Sequence, residues 1–202
     1  MTKIKNFRVT LRAREMARYL KKERGVETTP ELELAIEQIV NDGKKWVTPA
    51  AVYTTLARQT AEKTTSVSFP AGAVALSVAA VTIGPALETE RQASEQDTTR
   101  EMLLAALAQE ALTQALQFTV RLIGEQAKEE ECEMSPLVSV QDAALVSSLS
   151  ALLGVARIGI HVDASSEALP PHTRVSFWFW TPAGKGSSGR TQPVGRAEKV
   201  AA

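Results

Sequence analysis

The sharpest change of pattern along this chain lies at Val81-Thr82-Ile83-Gly84-Pro85-Ala86-Leu87-Glu88. Residues 73–83 are almost wholly apolar, as expected of a strand that is buried on both faces. Gly84 permits a sharp turn because it has no Cβ atom. Pro85 sets the backbone angle of a first helical turn, where its missing N–H is not needed. The junction therefore predicts a strand, a turn and a helix in succession.

The N-terminal part of the chain carries clear helix signals. A helical pattern over residues 12–24 ends at Gly25, and a second helix begins with Thr29 as the N-cap and Pro30 at the first position. Residues 51–69 carry mixed signals, since Val and Thr favour strands at both ends and the middle favours a helix. We predict two strand-like pieces there.

The C-terminal part is dominated by a long helix predicted over residues 99–131. It carries two adjacent apolar faces, which indicate a central helix enclosed by sheet and further helices. A helix is also predicted over 141–153, and strands over 158–162 and 175–180. In the last strand Phe177 and Phe179 share one face and Trp178 and Trp180 the other, and burial inside the fold is favoured over an exposed binding surface.

Composition indicates one soluble globular domain. The chain has 202 residues, of which 44% are hydrophobic and 23% charged, which is enough to build a substantial core. We expect a single α+β domain over 1–182 and a flexible tail over 183–202. Basic and acidic residues balance at 23 each, so no overall field attracts nucleic acid or an anionic membrane, and neither is predicted as a partner.

Location is predicted to be cytoplasmic. The N-terminal residues lack the apolar core of a secretion signal, and residues 71–83 are too few to span a bilayer as a helix. Cys132 is the only cysteine, which rules out an internal disulfide and fits a reducing compartment. Its acidic neighbours disfavour a thiolate, so we expect an inert thiol.

No set of residues typical of catalysis is present. A serine nucleophile elbow, a Rossmann glycine fingerprint and paired cysteine motifs are all missing from the sequence. His161 and Asp163 alternate onto one predicted strand face, but with only His172 elsewhere a zinc site lacks nitrogen and sulfur ligands. We therefore predict neither a catalytic residue nor a metal site.

Several short motifs follow one another in an order that resembles a known family. They are Leu11-Arg12-Ala13-Arg14-Glu15-Met16-Ala17-Arg18-Tyr19-Leu20, Pro30-Glu31-Leu32, Thr48-Pro49-Ala50-Ala51-Val52-Tyr53, Thr82-Ile83-Gly84-Pro85, Ser135-Pro136, Gln141-Asp142, Ile158-Gly159-Ile160, and Pro171 before Val175-Ser176. In this order, over roughly residues 7–180, the chain resembles the reductive activation domain of vitamin B12-dependent methionine synthase and its stand-alone relatives.

The resemblance implies both a fold and a function. The fold is α+β, with a mixed or antiparallel twisted sheet packed against a long central helix. The function is that of a module that binds S-adenosylmethionine while a corrinoid protein docks on it, and that supports reductive methylation of the partner's cobalamin. The chain lacks the Asp-x-His-x-x-Gly motif of cobalamin-carrying domains, so cobalamin is expected only through the partner protein.

The family's nucleotide-binding motif is not retained. That motif is an Arg, three residues, then Gly-Tyr, and alignment on Ser135-Pro136 puts Glu133, Leu137 and Val138 at these positions. Glu133 would repel the carboxylate that an Arg would hold. Leu137 and Val138 put branched carbon where the family has an open backbone and an aromatic wall. The sequence therefore predicts impaired or lost S-adenosylmethionine binding.

The family's ligand-binding Glu on the long helix falls near Thr113, with Glu110 one turn earlier. Two functions stay open: an accessory module of corrinoid-dependent methyl transfer, and a non-catalytic binding or assembly module that keeps the fold only. Homo-oligomers are compatible with either. The family-equivalent cofactor positions are Glu110, Thr113, Glu133, Ser135, Pro136, Leu137 and Val138.

Overall fold

A computed structural model describes residues 1–161 and 169–184. Within these residues an antiparallel sheet of six strands packs against helices on both faces, which confirms the predicted α+β class. The sheet order is β1-β2-β3-β6-β4, and β5 also pairs with β6. The strands are β1 (Thr2–Lys5), β2 (Ala50–Ala57), β3 (Ala75–Thr82), β4 (Cys132–Met134), β5 (Val138–Ser139) and β6 (Thr173–Pro182). The helices are α1 (Ala13–Arg24), α2 (Pro30–Gly43), α3 (Arg58–Thr64), α4 (Ala86–Ala93), α5 (Thr98–Glu129) and α6 (Ala143–Leu153).

The predicted apolar strand is the centre of the sheet. Every residue of β3 is buried, and β3 pairs along its whole length with β2 on one edge and β6 on the other. Leu76, Val78 and Ala80 pack on the α6 side, whereas Ala79 and Val81 pack on the α5 side. This burial on both faces is what the continuous apolar pattern predicted.

The turn after β3 forms as the Gly-Pro junction predicts. Gly84 has a φ of +79°, a left-handed conformation that glycine adopts without a Cβ clash. The Thr82 hydroxyl accepts a hydrogen bond from the Gly84 N–H at 3.0 Å and donates to the His172 carbonyl at 3.1 Å. Pro85 stands at the N-cap position, one residue before the predicted first helical position, because α4 begins at Ala86. The turn is thus fixed to the start of β6.

The long central helix is also confirmed. α5 has 32 residues, and the Asp97 side chain accepts a hydrogen bond from the Arg100 N–H at its start. Its first half packs against α1 and α2, and its second half covers the sheet through Ile123 and Ala127. No helix in residues 1–161 and 169–184 combines the length and the apolarity needed to cross a bilayer.

The aromatic strand divides its side chains between two layers. Phe177 and Phe179 pack with α6, and Trp178 and Trp180 pack with the second half of α5. All four side chains are buried. The prediction that this strand lies inside the fold is confirmed, and its tryptophans are not available as an exposed binding surface.

Two predicted strands are wrong. Of the two strand-like pieces predicted in residues 51–69, the first is β2, but the second is absent, since no strand lies between residues 58 and 69. The middle of this segment, where the sequence favours a helix, forms α3, supported by an Arg58–Glu62 ion pair of 2.7 Å. Residues 155–158 form a 3₁₀ turn, and Gly159 has a φ of +81°, so Ile158 and Ile160 are buried by a local turn rather than by a pleated strand. The predictions for residues 162 and 163 and for the tail beyond 184 lie outside the described residues.

Close packing of α2 on α5 depends on Gly43. A Cβ at this position would lie 2.5 Å from Leu107 Cδ2, and both residues are buried. We expect Gly43→Ala to lower the free energy of unfolding by about 1–3 kcal/mol, because the core has no room for the methyl group. Urea denaturation measures this change.

A double-mutant cycle tests the cause. Leu107→Ala by itself should cost about 2–5 kcal/mol through its cavity. In that background Gly43→Ala should cost nothing or stabilise, because the methyl group enters the cavity. Equal costs of Gly43→Ala in both backgrounds would show that the Leu107 contact is not responsible.

Candidate functional site

The segment after α5 places the predicted loop residues along β6. Glu131 has a φ of +53° and reverses the chain, so that Cys132 pairs with Pro182 and, further back, Val138 pairs with Phe177. The Ser-Pro loop lies between β4 and β5. It is therefore part of the sheet edge next to the aromatic strand.

Ser135 holds this loop on β6. Its N–H donates to the Phe179 carbonyl at 2.9 Å, and its hydroxyl accepts from the Phe179 N–H at 3.0 Å. The same hydroxyl donates to the Pro136 carbonyl at 2.9 Å. The backbone frame of the Ser-Pro loop is consequently well determined.

The three positions that the sequence alignment assigned to the family motif are all exposed. Glu133 is an exposed residue of β4 and pairs with Thr181. Leu137 and Val138 keep 39% and 38% of their surface exposed. They are apolar but not packed as core residues. The loop thus presents a carboxylate and two branched apolar groups to its surroundings.

The helix positions have other contacts. Glu110 is only 6% exposed, and its carboxylate accepts hydrogen bonds from Arg12 Nε at 2.9 Å and from Gln114 Nε2 at 3.0 Å. The hydrogen bond from Arg12 to Glu110 raises the pKa of the arginine above its usual value. The Thr113 hydroxyl donates to the Gln109 carbonyl of its own helix at 2.7 Å. The structure therefore joins Glu110 to the segment before α1, and joins Ser135 to β6.

A cleft of about 230 Å³ lies beside these helix positions and was not predicted from the sequence. It opens between α1, α4, α5 and the start of β6. We call it the arginine cleft, because Arg24, Arg91 and Arg174 contribute to its wall. One sequence feature could have indicated it. By strand alternation Arg174 lies on the same face of β6 as the buried tryptophans, which is an unusual place for a charged residue.

The three arginines differ in their partners. Arg91 forms ion pairs with Glu88 at 3.2 Å and Glu101 at 3.1 Å. Arg174 Nη2 donates to the amide oxygen of Gln109 at 2.5 Å, which is a neutral partner. Of the described residues in the wall, Glu101 is the only one with a carboxylate, so there the guanidinium groups outnumber the carboxylates three to one. The cleft is electropositive.

His172 lies next to the cleft, because in the sequence it stands between the wall residues Pro171 and Arg174. Its Nδ1 atom is buried without a hydrogen-bond partner among the described residues. Burial lowers the pKa of His172 below 6.5, and the nearby Glu88 carboxylate opposes this shift. The neutral imidazole is therefore the form that suits the folded state.

We expect the free energy of unfolding to decrease as the pH is lowered, because of His172. The unfolded chain takes up the proton at a higher pH than the folded chain does, so acidification through the ordinary histidine range, roughly pH 7.5 to 5.5, favours unfolding. We expect His172→Gln to reduce this slope of unfolding free energy against pH. His161→Gln, at an exposed position, is the matched control. Equal slopes for the wild type and His172→Gln would contradict the assignment.

Cys132 behaves as its acidic surroundings predicted. Burial raises the pKa of its thiol, and the Glu130 and Glu131 carboxylates raise it further. Burial is the larger cause, which the sequence did not reveal. A raised pKa leaves less thiolate at neutral pH and so a less reactive sulfur.

The Arg12–Glu110 pair should stabilise the fold. Arg12→Gln leaves a buried carboxylate without its cationic partner, and we expect a loss of about 1–2 kcal/mol, a modest value because Arg12 is itself half exposed. In a Glu110→Gln background the same change should cost less than half as much, because no buried charge remains to be paired. Arg18→Gln is the control, since its ion pair with Glu15 is largely exposed and should change stability by under about 0.5 kcal/mol. If Arg12→Gln costs the same in the wild-type and Glu110→Gln backgrounds, the ion pair does not stabilise the fold.

The fold is similar to that of a protein with a known ligand. The similarity is to the MetH reactivation domain, crystallised bound to AdoHcy, with a TM-score of 0.61 and 12% sequence identity. The match covers 91% of this chain and 79% of that chain. No protein-family model and no curated protein matches the sequence. The resemblance seen in the ordered motifs is thus confirmed as a resemblance of fold.

Proposed function

We propose that this chain is an accessory module of corrinoid-dependent methyl transfer. It docks on a cobalamin-carrying partner and supports reductive methylation of the partner's cofactor, while its own S-adenosylmethionine binding is impaired. The observation that carries the proposal is the fold, which over 91% of the chain is like that of a reactivation domain crystallised with AdoHcy. The ordered sequence motifs and the Ser-Pro loop, seated on β6, support it further.

The chemistry of the loop supports the impaired binding. A methionine carboxylate is best held by an arginine through two charge-assisted hydrogen bonds. Glu133 stands at the motif position that the family gives to that arginine, and like charges repel. The residues present at the Ser-Pro loop therefore do not fit the amino-acid end of S-adenosylmethionine.

The central helix supports the same conclusion. Glu110 is the acidic residue nearest to the position from which the family contacts its ligand, and here Arg12 and Gln114 occupy its carboxylate. A ligand ammonium group would have to displace Arg12 and leave a guanidinium without its partner. The charge-assisted hydrogen bond of Arg12 therefore competes with any ligand cation at Glu110.

The second candidate is a non-catalytic binding or assembly module. It is favoured by Glu133 at the Ser-Pro loop and by the Arg12 contact of Glu110, both of which disfavour S-adenosylmethionine. It is also favoured by the exposed apolar side chains of Leu137 and Val138, which a small polar ligand does not explain. The two candidates differ in one respect. Only the first requires contact with a corrinoid protein.

Calorimetric titration with S-adenosylmethionine and S-adenosylhomocysteine tests the pocket. We expect no saturable binding by the wild type below roughly millimolar ligand, which corresponds to a binding free energy weaker than about −4 kcal/mol. The triple variant Glu133→Arg, Leu137→Gly, Val138→Tyr should bind at least about tenfold more tightly, because it supplies the missing cation and space. The control is Glu129→Arg, which changes the charge by the same amount as Glu133→Arg but at an exposed position at the end of α5. It should not change the affinity for either ligand.

Two results would contradict this placement. Micromolar binding by the wild type would show that Glu133 does not impair the site. A triple variant that folds but gains nothing would show that the Ser-Pro loop is not the ligand pocket.

The partner is tested with a purified cobalamin-binding domain of a B12-dependent methionine synthase. Sedimentation should show a complex with this chain, and the corrinoid absorbance should move with it. The same domain without corrinoid is the control for cofactor-dependent docking. No complex in either form would favour the assembly module over the reactivation module.

A further inference from the structure

We infer that the arginine cleft binds a small organic anion, in which a carboxylate or phosphate group is attached to an apolar body. The cleft is a different surface from the Ser-Pro loop, and binding there is independent of the proposed function. Three guanidinium groups meet at its opening, Arg24 from α1, Arg91 from α4 and Arg174 from β6. Elements that are far apart in sequence bring them together.

Two of these guanidinium groups have no acidic partner among residues 1–161 and 169–184. Glu101 and Glu88 pair with Arg91, whereas Arg24 and Arg174 have no carboxylate within 4 Å in the described part of the chain. Structural arginines usually meet acidic partners, since guanidinium groups close to one another repel. An anion in the cleft would provide the missing counter-charge.

Arg174 is held in position by a neutral group. Gln109 accepts one of its N–H groups at 2.5 Å and leaves the remaining donors and the full charge available. Because this hydrogen bond already restricts the Arg174 side chain, that side chain loses less freedom when a ligand binds. This kind of preorganisation strengthens binding without adding a contact.

A smaller part of the wall is apolar. Ala105, Ala108 and Leu112 project from successive turns of α5, and the Tyr19 ring of α1 lies alongside. A bare inorganic ion would leave this surface unused. A ligand with an acidic head and an apolar or aromatic body would contact both parts of the wall.

Size limits the occupant further. The cleft has a volume of about 230 Å³, below the roughly 300–1,000 Å³ that is usual for pockets enclosing drug-sized molecules. It is therefore too small to enclose a nucleoside with an amino-acid chain. A single-ring acid or a short aliphatic acid fits this volume.

Calorimetric titration with benzoate, phenyl phosphate and inorganic phosphate tests the inference. We expect saturable binding of benzoate or phenyl phosphate at low ionic strength, at least about tenfold tighter than inorganic phosphate, and weakened by added salt. The tighter of the two aromatic probes identifies the acidic group as a carboxylate or a phosphate. None of the probes contains a sulfonium or a corrinoid, so the outcome is separate from the test of the proposed function.

A charge-matched pair of variants tests the position. Arg24→Gln with Arg174→Gln should weaken the bound probe by about tenfold or more, the loss expected for two charge-assisted contacts. Arg14→Gln with Arg157→Gln removes the same net charge at exposed positions outside the cleft and should leave affinity within about twofold. The single variant Arg24→Gln, at an exposed position, gives the same test without touching the Gln109 contact.

Three results would overturn the inference. They are no saturable binding of either aromatic probe, equal weakening by the two double variants, and unchanged affinity in every cleft variant.

Discussion

Every residue of β3 is buried, and the rest of the structure follows from the need to cover this one strand on both faces and both edges. Long antiparallel pairing with β2 and β6 satisfies its backbone groups. α5 then covers one face and α6 the other. A strand of this kind has no exposed side on which a ligand could bind. Candidate sites must therefore lie at the sheet edge or between the helices, where the structure has them.

The long helix meets two requirements at once. Its second half lies on the tryptophans of β6, and its first half forms a helical layer with α1 and α2. Burial on several sides leaves little room for charge, and the buried carboxylate of Glu110 is matched by Arg12. The same helix supplies the apolar wall of the arginine cleft. Sites and core thus share one element, and a change in the helix affects both.

The loop and the cleft show different relations between fold and chemistry. At the Ser-Pro loop the backbone is held on β6, and the side chains that it carries are Glu133, Leu137 and Val138. At the cleft three arginines lie beside apolar residues of α5, and no sequence motif predicted this arrangement. The similarity to a reactivation domain is a similarity of fold, and a shared fold does not by itself carry a ligand site with it.

Local signals along the chain determined much of this fold. The apolar run before Gly84, the Thr29-Pro30 helix start and the alternation from Phe177 to Trp180 each depend on neighbouring residues, and each was predicted correctly. The second strand-like piece of residues 51–69 and the strand over 158–162 were not, because β-branched residues such as Val67, Ile158 and Ile160 can also be buried against the sheet from irregular segments and turns. The residue types at Glu133, Leu137 and Val138, on which the prediction of impaired S-adenosylmethionine binding depends, can also be seen in the sequence alone. Only the tertiary structure paired Glu110 with Arg12, 98 residues away, and brought Arg24, Arg91 and Arg174 to one cleft. Contacts between distant segments depend on how helices pack on the sheet, and no local pattern encodes that packing.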